Sequence, residues 1–165
     1  MTGSGAFDTG NTQTTYAGIE LTVQPTDKVS VTTAYYQGHS KTEKGPTSLA
    51  NFSDITSESI SVDVGYKFDN ENTLGLQVAS PLSIKSGQLA LDIPTARDAV
   101  TDKIYREKYN INMEQEAKEL DIGLYFNHET TDDQWFRAEI GARINPDHRD
   151  TDTDYRIMLG FGTSF

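Results

Sequence analysis

The sequence contains no cysteine, which excludes disulfide scaffolds and thiol chemistry alike. Long apolar runs are also missing. Hydrophobic residues make up 35% of the 165 positions and the mean hydropathy is −0.57, whereas a membrane-spanning helix needs ~20 consecutive apolar residues. Basic residues are scarce: Lys and Arg total 14 against 25 Asp and Glu, a net charge of −11. That balance speaks against a nucleic-acid partner and against a basic helix lying on a membrane surface. Met1 to Gly10 is rich in Gly, Ser and Thr and has neither the basic start nor the apolar centre of a secretory signal. An exported form of this protein is therefore expected to carry its export signal outside this sequence. No segment has the periodicity of an amphipathic helix.

What the chain does have is alternation. Counting back from Phe165 by twos gives Thr163, Phe161, Leu159, Ile157 and Tyr155, with Ser164, Gly162, Gly160, Met158, Arg156 and Asp154 between them. A period of two puts the first set on one face of a strand and the second on the other. The same pattern recurs over Tyr16–Gln24, Val29–Gly38, Ser59–Phe68, Glu119–Asn127 and Trp135–Ile144, with short turns expected at Thr26, Asn70 and Asp132 and longer connections at 39–57, 96–116 and 145–153. Over Thr73–Thr95 the apolar phase slips by one residue at Ser86 and Gly87. This segment is either one long bent strand or two strands joined there, so the chain holds seven or eight strands.

Averaged hydropathy cannot detect a membrane barrel, whose strands need only ~9 to 11 residues with every second one apolar. Several features favour that reading over a soluble sandwich. The polar faces mix charges of both signs with Gly, Ala and Ser, as a crowded interior requires. They carry Glu20, Asp63, Lys67, Glu119, Asp121, Arg137, Glu139, Arg143 and Arg156, together with Asp92, a set expected to form a polar network in a lumen. Aromatics fall near strand ends at Tyr35, Tyr66, Phe68, Phe126, Tyr155 and Phe165, where an interfacial girdle would place them. The expected fold is an all-β, antiparallel transmembrane β-barrel over residues 15–165, preceded by a flexible segment over 1–14. If Thr73–Thr95 is one strand, short and long connections alternate, the C-terminus lies in the periplasm, and the odd count suggests the C-terminal part of a larger barrel.

Other residues offer little chemistry. His39, His128 and His148 fall in expected loops or strand ends without zinc spacing, and read as surface histidines. Asp150, Asp152 and Asp154 imitate the start of a calcium loop, but Tyr155 and Phe161 stand where that loop needs Gly and Glu. His39 beside Ser40 is adjacency, not a triad. No catalytic, cofactor or metal site is expected.

The segments LGLQVASPLSIKSGQLALDIP (74–94), KELDIGLYFNHE, NPDHR and the terminal strand together resemble the C-terminal region of bacterial subtilisin-like serine peptidases of the autotransporter type. Tyr155, Ile157, Leu159, Phe161 and Phe165 are similar to the C-terminal insertion signal of outer-membrane barrels, with Thr163 departing from it. The resemblance implies an outer-membrane anchor or translocator that works with membrane lipid, the barrel-insertion machinery and an upstream passenger, a subtilisin-like protease. No motif of a subtilisin triad occurs here, so the chain itself is expected not to be an enzyme. An independent eight-stranded barrel with structural or adhesive loops and a soluble lipocalin-like ligand-binding barrel are the alternatives.

Overall fold

The computed structural model describes residues 11–43, 48–129 and 134–163. Ten strands run along the described residues: β1 (Thr12–Thr26), β2 (Val29–Thr42), β3 (Ala50–Phe52), β4 (Ile55–Lys67), β5 (Asn72–Ser86), β6 (Gln88–Arg97), β7 (Ile104–Asn112), β8 (Leu120–Glu129), β9 (Gln134–Ile144) and β10 (Asp154–Thr163). The fold is all-β, and every strand pairing with a described register is antiparallel. Seven strands form a sheet in the order β1-β2-β4-β5-β8-β9-β10, and β3-β6-β7 form a second. Neither sheet closes on itself among the described residues. No helix among them is long and apolar enough to cross a membrane, which says nothing of strands.

Alternation led to seven or eight strands; the described residues hold ten, of which seven form the larger sheet and three the smaller one. The structure corrects the expectation for three further segments and decides the open one at Thr73–Thr95. The 96–116 connection contains β7, which pairs with β6 from Leu89↔Ile111 to Arg97↔Ile104 around a bulge between Pro94 and Ala96. All nine residues of β7 are exposed, and the run Arg106, Glu107 and Lys108 interrupts the alternation of Tyr105, Tyr109 and Ile111, so the segment reads as a charged loop. The 39–57 connection likewise holds the end of β2, the short β3 and the start of β4. The segment Thr73–Thr95 is two strands meeting at Gly87, but the second belongs to the other sheet, so the main sheet still counts seven. β1 begins at Thr12, which draws Thr12–Thr14 into a strand instead of the expected flexible segment. The expected turn at Thr130–Asp133, the terminal Phe165 and residues 1–10 lie outside the described residues.

The chain forms two compact units. The first comprises Met1–Ala17, Gln37–Ser57 and Ile84–Glu114. In it, Ser53 and Gln88 exchange a backbone bond and a side-chain bond of 2.8 Å each. The β6–β7 turn is held by the Asp98 carboxylate, which accepts the Val100 and Thr101 amides at 2.8 and 3.3 Å. Tyr16 lies across Gly38, where a Cβ would meet its ring at 2.7 Å.

The second unit comprises Gly18–Tyr36, Glu58–Ser83 and Gln115–Phe165. Its registers align residues of like character: Leu76↔Leu124↔Ile140↔Ile157 on one face, and Gln77↔Gly123↔Gly141↔Arg156 on the other. The β4–β5 turn is built by Asp69, whose Oδ1 accepts the amides of Glu71 at 2.9 Å and Asn72 at 2.8 Å and the Asn72 side-chain amide at 3.0 Å. Those donors, the Asn72 side chain foremost, hold the Asp69 carboxyl below its ordinary value of 3.8.

The connection from β9 to β10 is unusual. Asn145, Asp147 and His148 all have left-handed backbones, with φ of 52°, 57° and 58°, a conformation costly for residues with a Cβ. The compensation is His148, which is buried and not the surface histidine expected. Its Nδ1 accepts the Glu119 amide at 3.1 Å and its Nε2 donates to the Leu82 carbonyl at 3.2 Å, an assignment that fixes the neutral Nε2–H form. The ring thereby joins the ends of β5 and β8 to the turn. His39 is exposed, 3.6 Å from Asp54, and His128 bonds Asn72 at 2.9 Å.

Two outcomes follow. His148→Ala should orphan the Glu119 amide at a cost of about 1–3 kcal/mol and raise hydrogen exchange at Glu119 selectively; unchanged exchange there would remove the ring's structural role. For Asp69, a depressed folded pKa means the turn's stabilisation is complete above 3.8 and is lost as pH falls through the lower folded value. Hydrogen exchange at Asn72 should therefore rise only in strong acid, and Asp69→Asn should flatten that dependence.

Candidate functional site

In the second unit the two faces of the sheet are opposite in kind. On one face Ile19, Ile140, Ile157, Leu159 and Phe161 are exposed, from 55% at Ile140 to 86% at Phe161. On the other, Glu139 and Glu119 are only 4% and 6% exposed. A water-soluble sheet buries the first kind and exposes the second.

The buried charges form one connected ladder. Arg143 Nε lies 3.1 Å from Glu119 and 3.3 Å from Asp121. Arg156 reaches Asp121 at 3.5 Å and Glu139 at 2.9 Å, and Arg137 meets the other oxygen of Glu139 at 3.0 Å. The Arg137 guanidinium then sits 4.2 Å above the Tyr125 ring, and the Tyr125 hydroxyl donates to Asp63 at 2.8 Å. Within Glu119, Asp121, Glu139, Arg137, Arg143 and Arg156 the charges balance, which offsets the desolvation that burial imposes.

Glycine makes the ladder possible. Arg156 lies over Gly141, where a Cβ would come within 3.2 Å of its Nε, and Gly123 leaves similar room for Glu139. Tyr125, directly opposite Gly75, lies where a Cβ on that glycine would overlap its ring, and so passes over β5 to reach β4. Trp135 lies across Gly160 and Gly162 in the same way. Tyr125 and Trp135 can lie over their neighbouring strands because glycine leaves no side chain beneath them.

Of the expected lumen residues, the structure joins Asp63, Glu119, Asp121, Arg137, Glu139, Arg143 and Arg156 in this ladder. Glu20 on β1 and Lys67 at the end of β4 are exposed and take no part in it. Asp92 belongs to the first unit, where it pairs with Arg106 at 3.3 Å. Tyr125 was not anticipated; its one sequence signal is a large ring on a β8 face that otherwise carries Asp121, Gly123 and Asn127. Tyr155, Ile157, Leu159 and Phe161 lie together on the exposed apolar face of β10. No group of three or more ligand-type side chains forms a metal cluster among the described residues. Comparison with protein-family models, curated proteins and solved structures returns no match.

Arg156→Ala should leave Glu139 buried without its nearer guanidinium and destabilise the fold by about 3–5 kcal/mol. Adding Glu139→Gln should recover part of that loss in a double-mutant cycle read by urea unfolding. Additive effects would show that the two side chains are not coupled.

Proposed function

We propose that this chain is the membrane-embedded part of an outer-membrane β-barrel that anchors or translocates an upstream passenger and performs no chemistry itself. The observation that carries the reading is the reversed sidedness of the second unit: charges paired on a covered face, aliphatic and aromatic side chains on an open one. Lipid is the solvent for which that arrangement is favourable. Strands β8, β9 and β10, at 10, 11 and 10 residues, match the ~9 to 11 of a tilted membrane-crossing strand. Phe136 and Phe161 pair near one end of the sheet, with Phe126 one step further in on the same face, as an aromatic girdle would.

Parity adds to this. Seven strands in strict antiparallel order leave β1 and β10 pointing the same way, so direct closure would be parallel. Antiparallel closure takes an odd number of further strands beyond those described. A soluble ligand-binding barrel fits less well, because its apolar faces turn inward. The passenger role rests on the resemblance of 74–94, KELDIGLYFNHE and NPDHR to the C-terminal regions of autotransporter-type subtilisin-like peptidases.

An epitope fused upstream of Met1 tests both parts. In intact cells it should be accessible to added protease when the chain is wild type. With Ile157→Arg, which places a charge on the lipid face at a cost of ~2–4 kcal/mol, both membrane integration and epitope exposure should fail. Full integration of the Arg variant would contradict the lipid-facing assignment, and integration with an inaccessible epitope would contradict translocation.

A further inference from the structure

His148 is the only buried residue of the connection 145–153, and both of its ring nitrogens are committed. Nδ1 accepts the Glu119 amide at 3.1 Å and Nε2 donates to the Leu82 carbonyl at 3.2 Å. The carbonyl of the same residue accepts the Ala117 amide at 3.3 Å, and the Asn145 side chain donates to the Lys118 carbonyl at 3.3 Å. The turn therefore grips residues 117–119, just ahead of β8, at three points, and the ring adds a fourth on β5.

A backbone amide only donates, so the bond to Glu119 exists for one protonation state of the ring alone. The neutral Nε2–H form satisfies both partners. A proton added to Nδ1 turns that nitrogen into a donor facing another donor 3.1 Å away, while the bond to Leu82 is unaffected. Burial gives the charged ring no water in exchange, and it leaves the Glu119 amide without an acceptor. Asn145, Asp147 and His148 also hold left-handed backbones, with φ of 52°, 57° and 58°, a strain that relaxes once the grip is lost.

The charged groups on the neighbouring elements do not offset this. Glu119 is paired with Arg143 at 3.1 Å, and Glu58 on β4 with Lys118 at 3.4 Å, so each carboxylate already has a cation. β5 presents only uncharged residues, Pro81 to Ser83, around the Leu82 carbonyl. Asp147 and Arg149, on either side of the ring's own residue, are both exposed and opposite in charge.

We propose that His148 is an acid-sensitive latch: protonation of Nδ1 releases the turn at 145–149 from residues 117–119 and lets the β9–β10 connection open. The inference does not depend on the membrane reading, since every contact it uses lies within the second unit. On that reading the connection is one of the long ones that lie outside, where acid in the surroundings reaches it directly. The open turn exposes an imidazole, and a free imidazole takes up its proton around pH ~6.5. The latched turn has no place for that proton on Nδ1. Latching is therefore complete above this range and weakens as pH falls through it, about tenfold between about pH 7.5 and about pH 5.5.

The test follows amide exchange by NMR in the full chain, expressed as protection factors that remove the intrinsic pH dependence of exchange, together with the imidazole nitrogen shifts. At about pH 7.5 the shifts should report the Nε2–H form, with Ala117 and Glu119 protected. At about pH 5.5 protection at those two amides should fall about tenfold as His148 becomes doubly protonated, while the Gly141 amide in mid-β9 is unchanged. His148→Gln supplies a carbonyl acceptor and an amide donor but no titrating nitrogen; it should keep the protection and lose the pH response. His128→Gln should keep both. Equal protection at the two pH values overturns the proposal, as does a fall of the same size in His148→Gln, or a doubly protonated His148 with both amides still protected. If glutamine does not restore protection at about pH 7.5, the coincidence of ring protonation with exchange at Ala117 and Glu119 in the His128→Gln protein decides alone.

Discussion

The Arg156 guanidinium needs a strand without a side chain to lie on, and most of the second unit's organisation depends on that requirement. A guanidinium among carboxylates gains most when its donors meet acceptors in the plane of the group. Arg156 bridges acids on two other strands through its terminal nitrogens, 2.9 Å from Glu139 and 3.5 Å from Asp121, while its Nε lies buried over Gly141 without a hydrogen-bond partner. The same condition governs Tyr125 over Gly75 and Trp135 over Gly160 and Gly162. Glycine weakens a strand taken alone, by entropy and lost packing. Here it is what allows charges and rings to share a crowded face.

Balanced charges on one face release the other for a different solvent. Three guanidiniums and three carboxylates neutralise each other, and the Tyr125 hydroxyl extends the network to β4. The opposite face is then free to carry mainly aliphatic and aromatic groups, interrupted at Ser80 and, toward the strand ends, by His128, Gln134 and Thr163. At the far end of the apolar band the demands reverse again, with Lys118 and Glu58 facing outward above Ile60 and Leu120. The His148 ring anchors that boundary by satisfying backbone groups of two strands, which lets three residues of the turn remain in left-handed conformations.

The seven main strands were legible because the alternation of Ile60, Val62 and Val64, or of Leu120, Ile122 and Leu124, is enforced by a two-faced environment. β7 was not legible because the consecutive charges Arg106, Glu107 and Lys108 break its apolar alternation and read as a loop; exposure is not the cause, since β1 is exposed throughout and still alternates. Of the polar set, the members on β8, β9 and β10 and Asp63 belong together, whereas Glu20, Lys67 and Asp92 do not, although all alternate alike. His148 looked like a surface histidine because its burial depends on Leu82 and Glu119, residues distant in the chain.

What the sequence determined by itself is which residues share a face, since a strand's period of two is a property of the local backbone. It also determined that charge and small size go together on one of those faces. Tertiary structure alone decided which strands are neighbours and in what register. Arg156 meets Glu139 and Asp121, and Tyr125 meets Gly75, because of cross-strand pairings between distant segments, and no local pattern encodes them. A shift of one residue in any of those registers would keep every strand and lose the ladder.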